Sequence, residues 1–382
     1  MKLWQIARNP FSSRPWLTSG VLVGVCAVVA LAAALVATHP GTTKAGASSA
    51  SGNGHPTVSL VSSQPAPGAT AVAPDTSLAL SFSTALAAGG PTPTLDPPVA
   101  GTWIQTSPGI LAFEAAASLP PGATEQIQVP GGSSGIMAAD GAHLTQSAVV
   151  SFTVAPLSTL RLQQLLAELG YLPVAFTPAD TTPLSATELA TPQLGTFSWR
   201  WSTLPGNFMA LWSPGEPNLV TQSAIMAFES QHNLATDGDA GPQVADSVLQ
   251  AAAAGQTNSY GHYDFAEVYT SLPEHVDVWR DGSVAYSTLA NSGIEAAPTE
   301  LGTWPVYARY VSTTMSGTNP DGSHYSDPDI PWVSYFHGGD ALHGFVRSSY
   351  GTPQSLGCVE MPPANAEVVY PYTPLGTLVT VQ

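Results

Sequence analysis

Cys358 and His343 are the two residues of this 382-residue chain best suited to covalent chemistry. Cys358 stands in Ser355-Leu356-Gly357-Cys358-Val359-Glu360-Met361, fifteen residues after His343, and the only other cysteine, Cys26, lies in an apolar N-terminal stretch. A thiol is weakly ionised at neutral pH, so a nucleophilic cysteine needs an imidazole to take its proton or stabilise the thiolate. Gly357 supplies a turn that exposes the sulfur and aims backbone N–H groups at a developing oxyanion. The plain structural alternative is a buried apolar thiol beside a hydrogen-bonded core histidine.

Other chemistries find less support. No His/Cys/Asp/Glu grouping has zinc-ligand spacing, and no His-Glu-x-x-His occurs. Asp321, Asp327 and Asp329 lack the spacing of a calcium loop and read as a solvated turn region, while His275, His324 and His337 read as ordinary histidines. No cofactor and no metal are implied. Lys2 and Lys44 are the only lysines and neither follows a serine by three residues, which excludes a Ser-x-x-Lys nucleophile. Beyond residue 45 the chain carries five arginines, no lysine and all 26 acidic residues, a surface that repels nucleic acid and anionic lipid.

The elements that must position the pair come from composition and period. With 35 glycines, 35 prolines and only 9% charged residues, the expected fold class is multidomain and mainly β. Residues 1–16 carry Lys2, Arg8 and Arg14 and read as a cytoplasmic N-terminus. Residues 17–38 are uncharged and mostly apolar or small, roughly 33 Å as a helix, and read as a membrane anchor or a long signal segment. Residues 39–57 read as a flexible linker. Alternating stretches such as Leu78–Phe82 and Val149–Val154 over residues 58–156 predict an immunoglobulin-like β-sandwich. Over residues 157–255 the period becomes helical, at Leu162, Leu165, Leu166 and Leu169 and again from Val220 to Gln231, with Pro242 opening a further helix. Trp199, Trp201 and Trp212 in this stretch are read as a local core in preference to a sugar-stacking surface. Residues 256–382 return to strands, with a hairpin at Asp281-Gly282 and one short helix after Pro363.

Several ordered motifs give residues 262–382 a resemblance to the YkuD-type L,D-transpeptidases: Pro298-Thr299 through Tyr307, Tyr335-Phe336-His337-Gly338-Gly339-Asp340, His343-Gly344, Ser355-x-Gly357-Cys358 and Gly376-Thr377-x-Val379. Residues 157–255 look like a small helical peptidoglycan-binding-like domain through Gly170-Tyr171, Phe228, Asp237-Gly238 and Gly241-Pro242. The resemblance implies an enzyme whose partners are donor and acceptor peptidoglycan stem peptides, and the N-terminal segment with its preceding positive charges adds the expectation of a membrane tether with the rest of the chain outside the cytoplasm. In that reading Cys358 forms a thioester, His343 is the base, the Gly344 carbonyl orients the imidazole, and N–H groups at Gly357 and Cys358 form the oxyanion hole. Ser355, Tyr335, Asp340, Tyr350 and Glu360 are expected to bind substrate. The chain departs from the family at Leu356, where His is usual, and at Glu360, where Arg or Asn is usual. An L,D-carboxypeptidase or amino-acid exchange enzyme, and a non-catalytic wall-binding scaffold, stand as the alternatives.

Overall fold

The computed structural model describes residues 57–382, so the segments expected at 1–16 and 17–38, and nearly all of 39–57, lie outside the described residues. Among the described residues no helix is long and apolar enough to cross a membrane. The architecture is mainly β.

The N-terminal sandwich contains β1 (Leu60–Gln64), β2 (Leu78–Phe82), β3 (Thr94–Asp96), β4 (Gly101–Ser107), β5 (Ile110–Ala115), β6 (Thr124–Val129) and β7 (Ala148–Thr153). They form two sheets in the orders β1-β2-β5-β4 and β3-β6-β7. Strict alternation buries Leu78, Leu80 and Phe82 of β2 against Ile127, Val129 and Phe152 of the facing sheet. Glu125 interrupts this pattern. It occupies an inward position of β6, neither carboxylate oxygen has a hydrogen-bond partner, and burial, then the nearby Asp96 charge, push its pKa up to about 7.

The next stretch comprises α1 (Thr159–Glu168), the hairpin β8 (Val174–Pro178) and β9 (Gly195–Trp199), α2 (Gly206–Met209), α3 (Leu219–Gln231) and α4 (Pro242–Ala253). Ser158 and Asn218 cap α1 and α3 through their side-chain oxygens, and α4 opens on Pro242. Trp199, Trp201 and Trp212 pack against the helical core as partly buried side chains, with Trp212 edge-on to Phe197. This core does not stop at residue 255: Phe208 stacks on Phe265 with ring centroids 4.3 Å apart, and Tyr263 and Leu378 belong to the same buried cluster. Gly376 lies so close to the backbone of α3 at Ser223 and Ala227 that a side chain there would collide with it. The helices therefore form one wall of the C-terminal β region.

That region contains β10 (Asp264–Tyr269), β11 (His275–Arg280), β12 (Ser283–Leu289), β13 (Gly302–Pro305), β14 (Ala308–Thr318), β15 (His324–His337), β16 (Asp340–Gly344), β17 (Val359–Met361), α5 (Pro363–Val369) and β18 (Leu378–Val381). One sheet runs β12-β11-β10-β18-β13 and the other β14-β15-β16-β17, with β10/β18 and β16/β17 parallel. Val276, Val379, Leu342, Val359 and Met361 fill the space between them, capped by Ala366 and Val369 of α5. The β14–β15 hairpin is long and bent. Its register shifts between Thr313 and Met315, and Asp329 and Trp332 adopt left-handed φ values of 56° and 59°.

The five arginines among the described residues are all engaged. Arg161 pairs with Glu168, Arg280 with Asp264 and Arg347 with Glu360, while Arg200 lies over Trp201 and Arg309 over Tyr370.

Candidate active site

Period-two geometry brings the cysteine and histidine to one surface. In the parallel β16/β17 pair, Leu342 faces Val359 and His343 faces Glu360. Leu342 and Val359 point into the core, so His343 and Glu360 point to the opposite face, joined by Cys358 two residues before Glu360. All three line a groove of about 300 Å³ together with Tyr325, Asp327 and Arg347. The bent hairpin supplies the far wall through Met315, Asn319, Tyr325 and Asp327.

The turn before Cys358 is held from behind by side chains at some distance in sequence. Ser355 Oγ donates to the Cys358 carbonyl at 2.5 Å and accepts from the Gly357 N–H at 3.3 Å, closing the turn on itself. Thr299 Oγ1 donates to the Gly357 carbonyl at 2.7 Å and accepts from the Gly293 N–H at 2.9 Å. Asn291, fully buried, exchanges backbone bonds with Glu360, accepts from the Gly351 N–H at its side-chain oxygen, and donates to the Ser349 carbonyl. Glu274 holds the next residue, accepting from the Ser292 N–H and hydroxyl at 2.7 Å each. Gly357 has φ of 114°, and a Cβ there would strike the Asp340 carboxylate.

Electrostatics favour a neutral resting pair. Burial pushes the Cys358 thiol up to about 12; the Ala341 N–H opposes this, and the charges of Asp340 and Glu360 reinforce it. Burial likewise lowers His343, against the bond to the Gly344 carbonyl and the charge of Glu360. His343 Nδ1 lies 3.0 Å from the Gly344 carbonyl oxygen, which can only accept, so Nδ1 carries the proton and Nε2 keeps its lone pair. The thiol itself contacts the Gly339 carbonyl at 3.7 Å. Asp340 is raised to about 6 by burial, offset in part by the Glu300 N–H and by His337 at 3.8 Å.

Several expected groove residues stand elsewhere. Ser355 is buried and acts behind the turn, because its hydroxyl is taken by the Cys358 carbonyl. Tyr350 donates to the Phe345 carbonyl at 2.6 Å and accepts from the Arg347 N–H, bracing the loop after β16. Asp340 lies beneath Gly357 and beside His337 instead of facing the groove. Tyr335 packs beside Cys358 on the small cluster of Ile330, Val333 and Ala341, and its hydroxyl is pushed up to about 12 by burial and then by the proximity of Cys358. Gly357 cannot serve as an oxyanion donor in this arrangement, since its N–H points to Ser355. Glu360 is 5% exposed and neither faces solvent nor presents a free charge: Arg347 Nε and Nη2 bond its two oxygens at 2.7 and 2.8 Å. Arg347, Asn291 and Glu274 carried no motif in the sequence, and their mixed polar surroundings gave no signal that could have found them.

The fold thus defines a multidomain, mainly β protein with a two-sheet N-terminal module and a C-terminal β domain that gathers one cysteine and one histidine in a groove. Residues 266–381 match the L,D-transpeptidase catalytic domain (YkuD) family, and residues 54–154 match the bacterial Ig-like domain family. No curated protein matches the chain. Similar solved structures include an L,D-transpeptidase from Mycobacterium smegmatis, at 12% identity over 86% of this chain and 100% of that one, with a TM-score of 0.29. L,D-transpeptidase 3 from Mycobacterium tuberculosis with a faropenem-derived adduct gives 12% identity over 85% and 97%, with a TM-score of 0.29. The catalytic domain of the E. faecium L,D-transpeptidase gives 28% identity over 31% of this chain and 95% of that one, also with a TM-score of 0.29. At such scores, residue roles rest on this chain's own geometry.

Proposed function

We propose that this chain is an extracytoplasmic peptidoglycan L,D-transpeptidase acting through a Cys358 thioester. The observation that carries the reading is that Cys358 and His343 line one groove while the histidine's Nδ1 is committed to the Gly344 carbonyl. A committed Nδ1 presents Nε2 to the groove as the base. In the proposed sequence the sulfur attacks the carbonyl of a donor stem residue as Nε2 takes the thiol proton, and the imidazolium returns that proton to the departing amine of the terminal D-residue. The carbonyl carbon is then held as a thioester. An acceptor amine attacks it, the thiol re-forms, and a new amide joins two stems. With the Gly357 N–H turned inward, the Cys358 N–H is the remaining candidate at that turn for the developing oxyanion. The 17–38 segment would hold the catalytic region at the wall side of a membrane, with the Ig-like sandwich as a spacer.

Intact-mass analysis of the protein incubated with a tetrapeptide-stem muropeptide tests the reading. An adduct equal to the donor minus its terminal residue, followed by cross-linked product, is expected. Hydrolysed tripeptide without cross-link places the chain among L,D-carboxypeptidases, and the absence of any adduct removes the thiol mechanism.

A further inference from the structure

The groove holds three charged side chains, and two of them cancel. Arg347 and Glu360 form a bidentate pair, with the guanidinium also donating to the Gln354 carbonyl at 3.2 Å and lying over Phe345 at 4.6 Å. The third, Asp327, sits on β15 in the hairpin wall, half-buried, and its carboxylate makes no hydrogen bond or ion pair with any described residue. The nearest cation, Arg347, feels the Asp327 charge but is committed through two hydrogen bonds to Glu360, so a second cation entering the groove would meet a carboxylate that no hydrogen bond has claimed. The surrounding field has the same sign, since the chain carries a formal net charge of −17.

We infer that Asp327 binds a primary ammonium of the substrate, and that this contact selects among stem peptides. The inference rests on the transpeptidase reading and adds to it a specificity residue that no motif marks. Glu360, expected from the sequence to bind substrate, is instead paired with Arg347. Two sources offer the same chemistry: a side-chain amine on the donor residue whose carbonyl is attacked, and the amine of the acceptor stem. A carboxylate on the hairpin wall serves either, because donor and acceptor must both approach the sulfur through this groove.

The test uses the full-length chain in detergent and separates the two sources. In the first arm, tetrapeptide donors ending in D-alanine carry at position three either lysine or Nε-acetyl-lysine, and acylation is followed by intact mass. In the second, preformed acyl-enzyme is chased with a lysine-containing acceptor, and the half-saturating concentration is read. In a third, calorimetry measures binding of both donors to the Cys358→Ala chain, independently of acylation. Wild type is expected to prefer the free ammonium at least about tenfold in the donor arms if the donor is the source. Asp327→Asn then brings the preference between the two donors to near unity, and Asp327→Glu restores it. If the acceptor is the source, Asp327→Asn leaves the donor ratio alone and raises the acceptor half-saturation about tenfold. An Asp327→Asn chain unchanged in all three arms overturns the inference. Absence of acylation with intact ammonium-selective binding overturns only the transpeptidase reading.

Discussion

The resting state of Cys358 is open to a direct chemical challenge: alkylation by iodoacetamide as a function of pH. A free thiol of pKa near 8.5 is about 9% ionised at pH 7.5. With its pKa pushed up to about 12, the Cys358 thiol is ionised only to about 3 × 10⁻⁵, roughly 3,000-fold less. A more basic thiolate is intrinsically more nucleophilic, and a Brønsted slope of about 0.4–0.5 over this span restores a factor of roughly 25–55. The net expectation is alkylation roughly 100-fold slower than a free cysteine at pH 7.5, rising about tenfold per pH unit through pH 10. Because burial is the largest cause, Glu360→Gln and Asp340→Asn, which remove the two unfavourable charges, should speed alkylation but leave the same steep rise. The second cysteine, Cys26, is replaced by serine so that one sulfur is read by mass. A plateau with a midpoint below 8.5, the signature of a thiolate–imidazolium pair, would refute the argument that desolvation dominates this site.

The remaining expectations concern the base, the groove pair and the sandwich. His343→Ala should slow acylation roughly 100-fold or more, and Cys358→Ser should abolish it, in the same mass assay. Since burial lowers the His343 pKa and the base must be neutral, the acid limb of kcat/KM should fall below pH 6.5; a limb above that value contradicts the assignment. Arg347→Ala leaves Glu360 buried without its cation and should cost about 2 kcal/mol or more in urea unfolding, whereas the double change Arg347→Met/Glu360→Met should cost much less. Glu125 has a folded-state pKa raised to about 7, so its contribution is intact below the unfolded value near 4.5 and is lost as pH rises through about 7. Glu125→Leu should therefore raise the melting temperature of the sandwich more at pH 8 than at pH 4, and an equal gain at both values would contradict this.

Much of the fold was legible because it is written in local periods and turns. The alternation Leu78–Phe82, the helical spacing of Leu162, Leu165 and Leu166, Pro242 at a helix start and Asp281-Gly282 at a hairpin each act within a few residues. The groove was legible only through its motif residues, Cys358 and His343, which strand pairing aligns. What escaped is the long-range polar support: Thr299 reaching Gly357, Asn291 reaching Gly351, and Arg347 reaching Glu360. Such bonds link residues 13 to 60 positions apart and leave no periodic trace. For the same reason Glu360, Tyr350 and Asp340 read as substrate contacts, and the helical stretch read as ending at residue 255 although its core runs on into Phe265 and Leu378.

The engagement of every arginine among the described residues has a counterpart in a residue type that is missing there. Between residues 57 and 382 there is no lysine, so the folded region has no side-chain primary amine. For an enzyme that stores an activated acyl group on sulfur and waits for an amine, its own lysines would be the nearest and most concentrated competitors, held at effective concentrations that no diffusing stem could match. A guanidinium, permanently protonated and here committed to carboxylates or rings, cannot take that part. If the proposed thioester forms, the cations that brace the described region are thus of a kind that cannot capture it, and no lysine of that region competes with an amine arriving from outside.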